Sequence, residues 1–462
     1  MNRRDFLRFA AATGALTWLD APAWAAPLTR RVLVDITLPG GPDLRHLFPP
    51  APDSSPASYA YQYWQARASS HGIAAGSQQA VVDRFATAYD AAATTAGTQF
   101  GILKQCGWLK SMWSAGKVAV LHNVLGATSR DHAHAQLVLD HGDRGTLPNQ
   151  LGKAGWGGRL VAGLGGSARI VSVTRAPRPF CYGPHPTDRL DHRNDRLLNI
   201  KNSRALALTE AASQDNNQNK AMANSLRAYY EARAAALGQS DVFGRIVQSE
   251  RGLRQFGSAM TSALAGIPVP AAVQALYTGQ PPSRLNSGYF GEQIRNLYDT
   301  LQTRDILDMR VASLDYGGWD SHDGEIDMIE PRLADLFGTG RALDTLWQAL
   351  DPQSRANMVF VIAGEFGRQL KSNGGAGTDH GRGMQVIVIG ESVKGGFYGD
   401  PFPEAELARL SQNSPDVEGL TAIERVFGVL ADWVAPGAGD VVFPGRGGMP
   451  LESGNPLGFM KA

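Results

Sequence analysis

The stretch Val359-Phe360-Val361-Ile362-Ala363-Gly364-Glu365-Phe366-Gly367-Arg368 decides the fold. Five apolar residues in a row, closed by glycine, read as a strand buried on both faces. It delivers a carboxylate and a guanidinium at the first turn beyond its end. A glycine-rich loop, Gly377-Thr378-Asp379-His380-Gly381, then presents an Asp-His pair, and a second apolar run, Val386-Ile387-Val388-Ile389, follows. Charge placed just past the carboxyl end of a buried strand is where α/β proteins bind ligands. Together with Trp319-Asp320-Ser321-His322 upstream, the pattern points to a metal or phosphate-type site.

Working outward, further strands are expected at Arg31–Leu38, Lys117–Val124, Ala168–Thr174 and Met309–Leu314. The spacing predicts helices over Gln78–Leu109, Arg130–Leu139, Met328–Leu350 and Val417–Trp433, while 44–75 reads as a loop or lid. From Asp188 to about Gly257 the chain is polar, Ala-rich and without a strand-like run, which reads as an inserted helical cap. Strands alternating with helices along the whole length argue for a mostly parallel sheet covered on both faces. No internal repeat or clean linker divides the chain, so one α/β domain with an insertion is expected.

The N-terminus carries Arg3-Arg4-Asp5-Phe6-Leu7, an apolar stretch from Phe9 to Leu19, and Ala23-Trp24-Ala25 before Ala26. Paired arginines, a short apolar segment and small residues at a cleavage site describe a twin-arginine export signal over 1–26. The apolar segment is too short to span a bilayer comfortably. A periplasmic or otherwise exported protein that uses the twin-arginine machinery is therefore expected. Formal net charge is +1, so no global field draws nucleic acid or an anionic membrane. Cys106 and Cys181 could pair in an oxidising compartment, but form no CxxC or metal-ligand spacing.

Several residues carry two readings each. Asp320 and His322 could converge on one ion, or Asp320 could cap the helix that follows. Glu365 could face a metal with Arg368 holding a substrate oxyanion, or the two could form an ion pair locking the turn. Asp379 and His380 sit in Asn373–Gly383, whose many glycines cost stability unless backbone must approach something closely. His380 is the leading ligand candidate, and a solvated turn histidine is the alternative. Thr128 or Ser129, before a helix, could be a nucleophile or an ordinary N-cap. His132 and His134 cannot both face one way on that helix. Asp43, after Gly40-Gly41, ranks ahead of the in-strand Asp35 as a further ligand. No P-loop, GxSxG elbow, HExxH or Rossmann fingerprint occurs.

Leu38-Pro39-Gly40-Gly41-Pro42-Asp43, His122-Asn123-Val124, Gly155-Trp156-Gly157-Gly158-Arg159, Trp319–His322, Glu365–Arg368, Gly377–Gly381 and Lys394-Gly395-Gly396 together resemble an exported bacterial family. It is called domain of unknown function 1501, and belongs with the alkaline-phosphatase and sulfatase-like fold. The resemblance implies a three-layer α/β/α sandwich with a mostly parallel sheet, alkaline-phosphatase-like, plus the helical insertion at about 188–257. It implies a divalent metal (Zn, Ca or Mg) held by Asp and His on loops after strands, and a small-molecule or polymer ester of phosphate or sulfate as substrate. By position Asp43, Asp320, His322, Glu365, Asp379 and His380 would be ligands, Thr128 or Ser129 the nucleophile, and Arg368 the oxyanion partner. Two departures stand out. Phe366 occupies a place where such enzymes carry histidine, and Ser129-Arg130-Asp131 replaces the usual Ser-His-Phe run. A non-catalytic binding or assembly protein on the same scaffold is the competing expectation.

Overall fold

The computed structural model describes residues 30–184, 196–204, 217–237, 257–277 and 285–461. The expected export signal at 1–26 lies outside them, as do 188–195, 205–216 and 238–256 of the expected insertion. Thirteen strands are described: β1 (Val32–Thr37), β2 (Tyr89–Ala93), β3 (Gln99–Leu103), β4 (Val118–Leu125), β5 (Arg169–Ser172), β6 (Leu197–Asn199), β7 (Met309–Asp315), β8 (Met358–Ala363), β9 (Gly367–Ser372), β10 (Thr378–Gly381), β11 (Gly383–Gly390), β12 (Gly396–Tyr398) and β13 (Thr421–Ala422). Nine of them form one sheet in the order β12-β4-β11-β8-β1-β7-β5-β6, with β13 also paired to β4. Every pairing is parallel except those of β11, which runs against both β4 and β8.

Alternate strand residues build two separate cores, as the pleat requires. Val32, Val34 and Ile36 of β1, with Met358, Phe360 and Ile362 of β8, face one side. There they meet Ile294, Leu297 and Leu301 of the helix Gly288–Gln302 and Leu333 and Phe337 of the helix Glu325–Phe337. Leu33, Val359 and Val361 face the other side, against Trp156 and Leu160 of Trp156–Leu164 and Val426, Phe427 and Leu430 of Ile423–Val434. The molecule is an α/β/α sandwich with a mostly parallel sheet. Each fully buried aliphatic or aromatic side chain in these layers contributes about 1.5–3 kcal/mol.

Four expected elements come out differently. The 78–109 segment is helix Gln78–Ala88, an antiparallel β2–β3 hairpin and helix Gly107–Ser114. Burial of Tyr89 and Phe100 overrides its alanine-rich helical composition. The 328–350 helix is two helices, Glu325–Phe337 and Ala342–Ala349, separated at Gly338-Thr339-Gly340. The 44–75 lid holds helices Leu44–Leu47 and Tyr59–Ala66, pinned by the fully buried Trp64. Leu197–Asn199, inside the segment read as strandless, extends the sheet beside β5, while Asn217–Leu237 is helical. Cys106 and Cys181 are free and buried in opposite cores. No helix among the described residues is long and apolar enough to cross a membrane.

This topology fixes where chemistry can gather. The carboxyl ends of β4, β1, β7 and β8 share one edge of the sheet, and the reversed β11 begins at that same edge. The turns after those strands and the chain entering β11 therefore meet there.

Candidate metal centre

Four chain segments converge at that edge. His132 opens the helix His132–His141 after β4, with Asp131 as N-cap accepting from the His134 amide at 2.9 Å. Asp320 and His322 lie on the turn after β7. Glu365 follows β8 directly, and His380 lies on β10. β9 and β10 form a small antiparallel hairpin, so the glycine-rich loop expected from sequence is its tip. That tip docks backbone to backbone on the 321–325 turn: the Thr378 amide donates to the Ser321 carbonyl at 3.0 Å, and Glu325 N–H to Ala376 O at 3.1 Å. A Cβ on Gly377 would stand 2.3 Å from the Ser321 carbonyl oxygen. Such an approach is open only to glycine.

The three imidazoles present the same face to Asp320. His380 Nδ1 lies 3.0 Å from the carbonyl of Arg130, which can only accept, so the proton sits on Nδ1. His132 Nδ1 meets Glu365 Oε1 at 2.7 Å, and His322 Nδ1 meets Asp379 Oδ1 at 3.0 Å. Each Nε2 is thereby turned to the centre. His380 Nε2 and His322 Nε2 lie 2.9 and 3.0 Å from Asp320 Oδ1, and 2.9 Å from each other. His132 Nε2 is 3.4 Å from Asp320 Oδ2. In neutral rings these are lone pairs facing a carboxylate, an arrangement that needs a cation or added protons between them. Ligand atoms about 2.05 Å from a tetrahedral ion are roughly 3.3 Å apart, close to these separations. His132, Asp320 and His380 each bring a ligand atom within 4.8 Å of the others, and the donor set fits a divalent ion.

The electrostatics agree with that reading. Burial holds the His380 imidazole below its usual range, against the pull of its Asp320 contact, so its Nε2 is disposed to stay unprotonated. The hydrogen bond to Glu365 raises His132. Burial pushes the Asp320 carboxyl upward, but its close contact with His380 and the hydrogen bond and charge of Arg368 outweigh it and bring it down to about 2. Asp320, His132 and His322 side chains are 44 %, 42 % and 41 % exposed, so the centre is open on one side.

The structure places the remaining expected residues at different distances from this centre. Glu365 and Asp379, expected as ligands, stand behind histidines and orient them. Glu365 is buried, takes the Gly40 amide at 2.9 Å on Oε1, and has no partner for Oε2 among the described residues. Asp43 is turned elsewhere, because it pairs with buried Arg67 and caps the helix Leu44–Leu47. Arg368, expected to hold an oxyanion, is fully buried and already engaged through all three of its nitrogens. It donates to the carbonyls of Gly40, Gly41 (2.6 Å), Thr378 (2.7 Å) and Trp319 (3.0 Å), and to Asp320 at 2.8 Å. It ties three loops together and fixes Asp320. Thr128 is exposed, and Ser129 Oγ accepts from the Asp131 amide at 3.0 Å; among the described residues neither hydroxyl is held by a base. Asp35, the unexplained in-strand carboxylate, pairs with Arg178.

His132 is the residue missed as a ligand in the sequence. Its signal was the observation that only one of His132 and His134 could face the site, and His134 instead meets the Thr146 carbonyl at 2.8 Å. Phe366, at a position expected to bind metal in relatives, is buried with its ring 4.4 Å from that of His380 and 5.0 Å from that of His132.

No curated protein and no solved structure matches the chain. The family described as protein of unknown function (DUF1501) matches residues 30–407. That span takes in β1, every residue of the His132, Asp320, His322 and His380 cluster, and the carboxylates behind it. The chain belongs to the DUF1501 family.

Proposed function

We propose that this protein is an exported, metal-dependent hydrolase of phosphate or sulfate esters. The observation that carries the reading is the convergence of three imidazole Nε2 atoms on the Asp320 carboxylate, each ring held from behind by an acceptor. Acceptors behind ligating histidines are the usual support of a metal site. His132, His322, His380 and Asp320 would hold the ion, and so nitrogen-rich a set favours zinc or a similar first-row metal over magnesium or calcium. When bound, such an ion polarises an ester oxygen and makes water a better nucleophile. The chain's own part is placement. Glu365, Asp379 and the Arg130 carbonyl fix the three rings, and Arg368 fixes Asp320. With no base on Thr128 or Ser129, water rather than a side-chain hydroxyl is the nucleophile in this reading.

An alkaline-phosphatase-like ancestry is supported by the resemblance of the loop motifs and by ligand candidates on turns at one edge of a largely parallel sheet. Export is supported by Arg3-Arg4 and the short apolar run that follows. A second reading, a non-catalytic binding protein on this scaffold, draws on Phe366, which fills the position of a second metal's ligand with a packed ring. Turnover of an aryl phosphate and an aryl sulfate by purified protein separates the two. The hydrolase reading expects turnover that a chelator abolishes, zinc restores and His380→Ala removes while the fold survives. Metal-replete protein that turns over neither ester contradicts it.

A further inference from the structure

With Arg368 committed to backbone carbonyls and Asp320, an anionic ester needs another cation, and two arginines lie on the segments that carry the centre. Arg130 and His380 touch directly, because the Arg130 carbonyl accepts from His380 Nδ1 at 3.0 Å. Arg382 stands two residues beyond His380, where β10 gives way to β11. The two guanidiniums share one carboxylate oxygen, Asp416 Oδ2, at 2.8 Å from Arg130 Nη2 and 2.6 Å from Arg382 Nε. Asp416 is largely buried and is also fixed by the Arg382 amide on Oδ1 at 2.7 Å. Arg409, which donates to the Asp416 carbonyl at 3.0 Å, is matched by Glu418 at 2.9 Å.

Two guanidiniums share the one Asp416 carboxylate, so the pair carries one positive charge beyond its own partner. The Arg130 and Arg382 side chains are 37 % and 44 % exposed. Arg382 spends only Nε and its amide on Asp416, so both terminal nitrogens are free of any protein partner among the described residues. A planar guanidinium held by Nε with its outer edge open is arranged to take two oxygens of a tetrahedral anion. We infer that Arg130 and Arg382 are the anion-recognising pair of this centre, gripping the non-bridging oxygens of a phosphate or sulfate monoester. This assignment rests on the ester-hydrolase reading of the adjoining site. It places substrate selection on residues outside the metal cluster, with Asp416 holding both arginines in register when no anion is present.

Isothermal titration of inorganic phosphate and, separately, sulfate into metal-free and zinc-loaded protein tests the pair. The expected result is binding of at least one of the two anions, weakened ten-fold or more in both Arg130→Ala and Arg382→Ala. Zinc content by elemental analysis is expected to stay unchanged in Arg382→Ala, and Arg382→Lys should restore only part of the affinity because it keeps charge but loses the fork. Comparing the two anions tells which ester class the rim prefers. Wild-type protein that binds neither anion, or alanine variants that bind as tightly as wild type, would overturn the inference. If anion binding depends on the arginines but no zinc is ever bound, the rim assignment stands and the metal reading falls.

Discussion

Glu365, expected from sequence to face a metal, stands behind His132 instead, and the geometry of that ring depends on it. Its Oε1 is fixed between the Gly40 amide and His132 Nδ1. Glu365→Gln keeps the shape but can present an N–H to the ring, so it no longer enforces the tautomer that turns Nε2 inward. We expect zinc affinity to fall about 10–100-fold, the range for loss of an outer-shell partner, with little change in the circular dichroism of the fold. A competition titration against a chromogenic chelator measures this. His122, in contrast, is a residue whose effect is on acid stability. It is buried with neither ring nitrogen partnered among the described residues, and burial together with the charge of Arg45 draws it down to about 3. The unfolded chain therefore binds a proton below about pH 6.5 that the native chain refuses until about pH 3, so native stability drains away as pH falls through that window. His122→Leu should flatten this slope. Urea denaturation of metal-free protein at several pH values reads it, and an unchanged slope would show that other groups carry the acid lability.

At the scale of elements, apolar runs were easy to read because the sheet is buried on both faces. β1, β4, β8 and β11 are rich in Val, Ile, Leu and Ala, and these strands and β7 were placed to within two or three residues. Direction was not legible. Nothing in Gly383–Gly390 says that it runs against its neighbours, and Gly367–Ser372 is too polar to declare itself a hairpin strand. The site was half legible for the same reason. Carboxylates and histidines just past strands stood out, but which of them meet depends on contacts across 233 residues for His132 and Glu365 and 250 for Arg130 and His380. Asp43 misled because a helix-capping aspartate and a ligating one look alike in sequence. The glycine-rich tip, by contrast, announced a close approach, and the partner proved to be the Ser321–Asp323 turn. Gly377→Ala should therefore cost about 1–3 kcal/mol through the clash and loosen His322. Gly374→Ala, with open space around its Cβ, should stay within about 0.5 kcal/mol. Chemical denaturation of the two variants side by side checks the contrast.

For the whole molecule, the sandwich acts as a frame that brings distant segments to one rim and holds them there through Arg368. The carbonyls of Gly40, Gly41, Trp319 and Thr378 all end on that one guanidinium, so the turns after β1 and β7 and the β9–β10 hairpin are tied together before any ion arrives. A rim so organised should bind its ion with little rearrangement, and binding should stabilise the entire fold by mass action, by about 2.7 kcal/mol at a hundred-fold excess over Kd. The most direct test is calorimetric titration of zinc into metal-stripped protein at neutral pH. The convergence of His132, His322 and His380 on Asp320 predicts one tightly bound ion per chain, lost in Asp320→Ala and His380→Ala. No binding by wild type, or binding untouched by both substitutions, would contradict it.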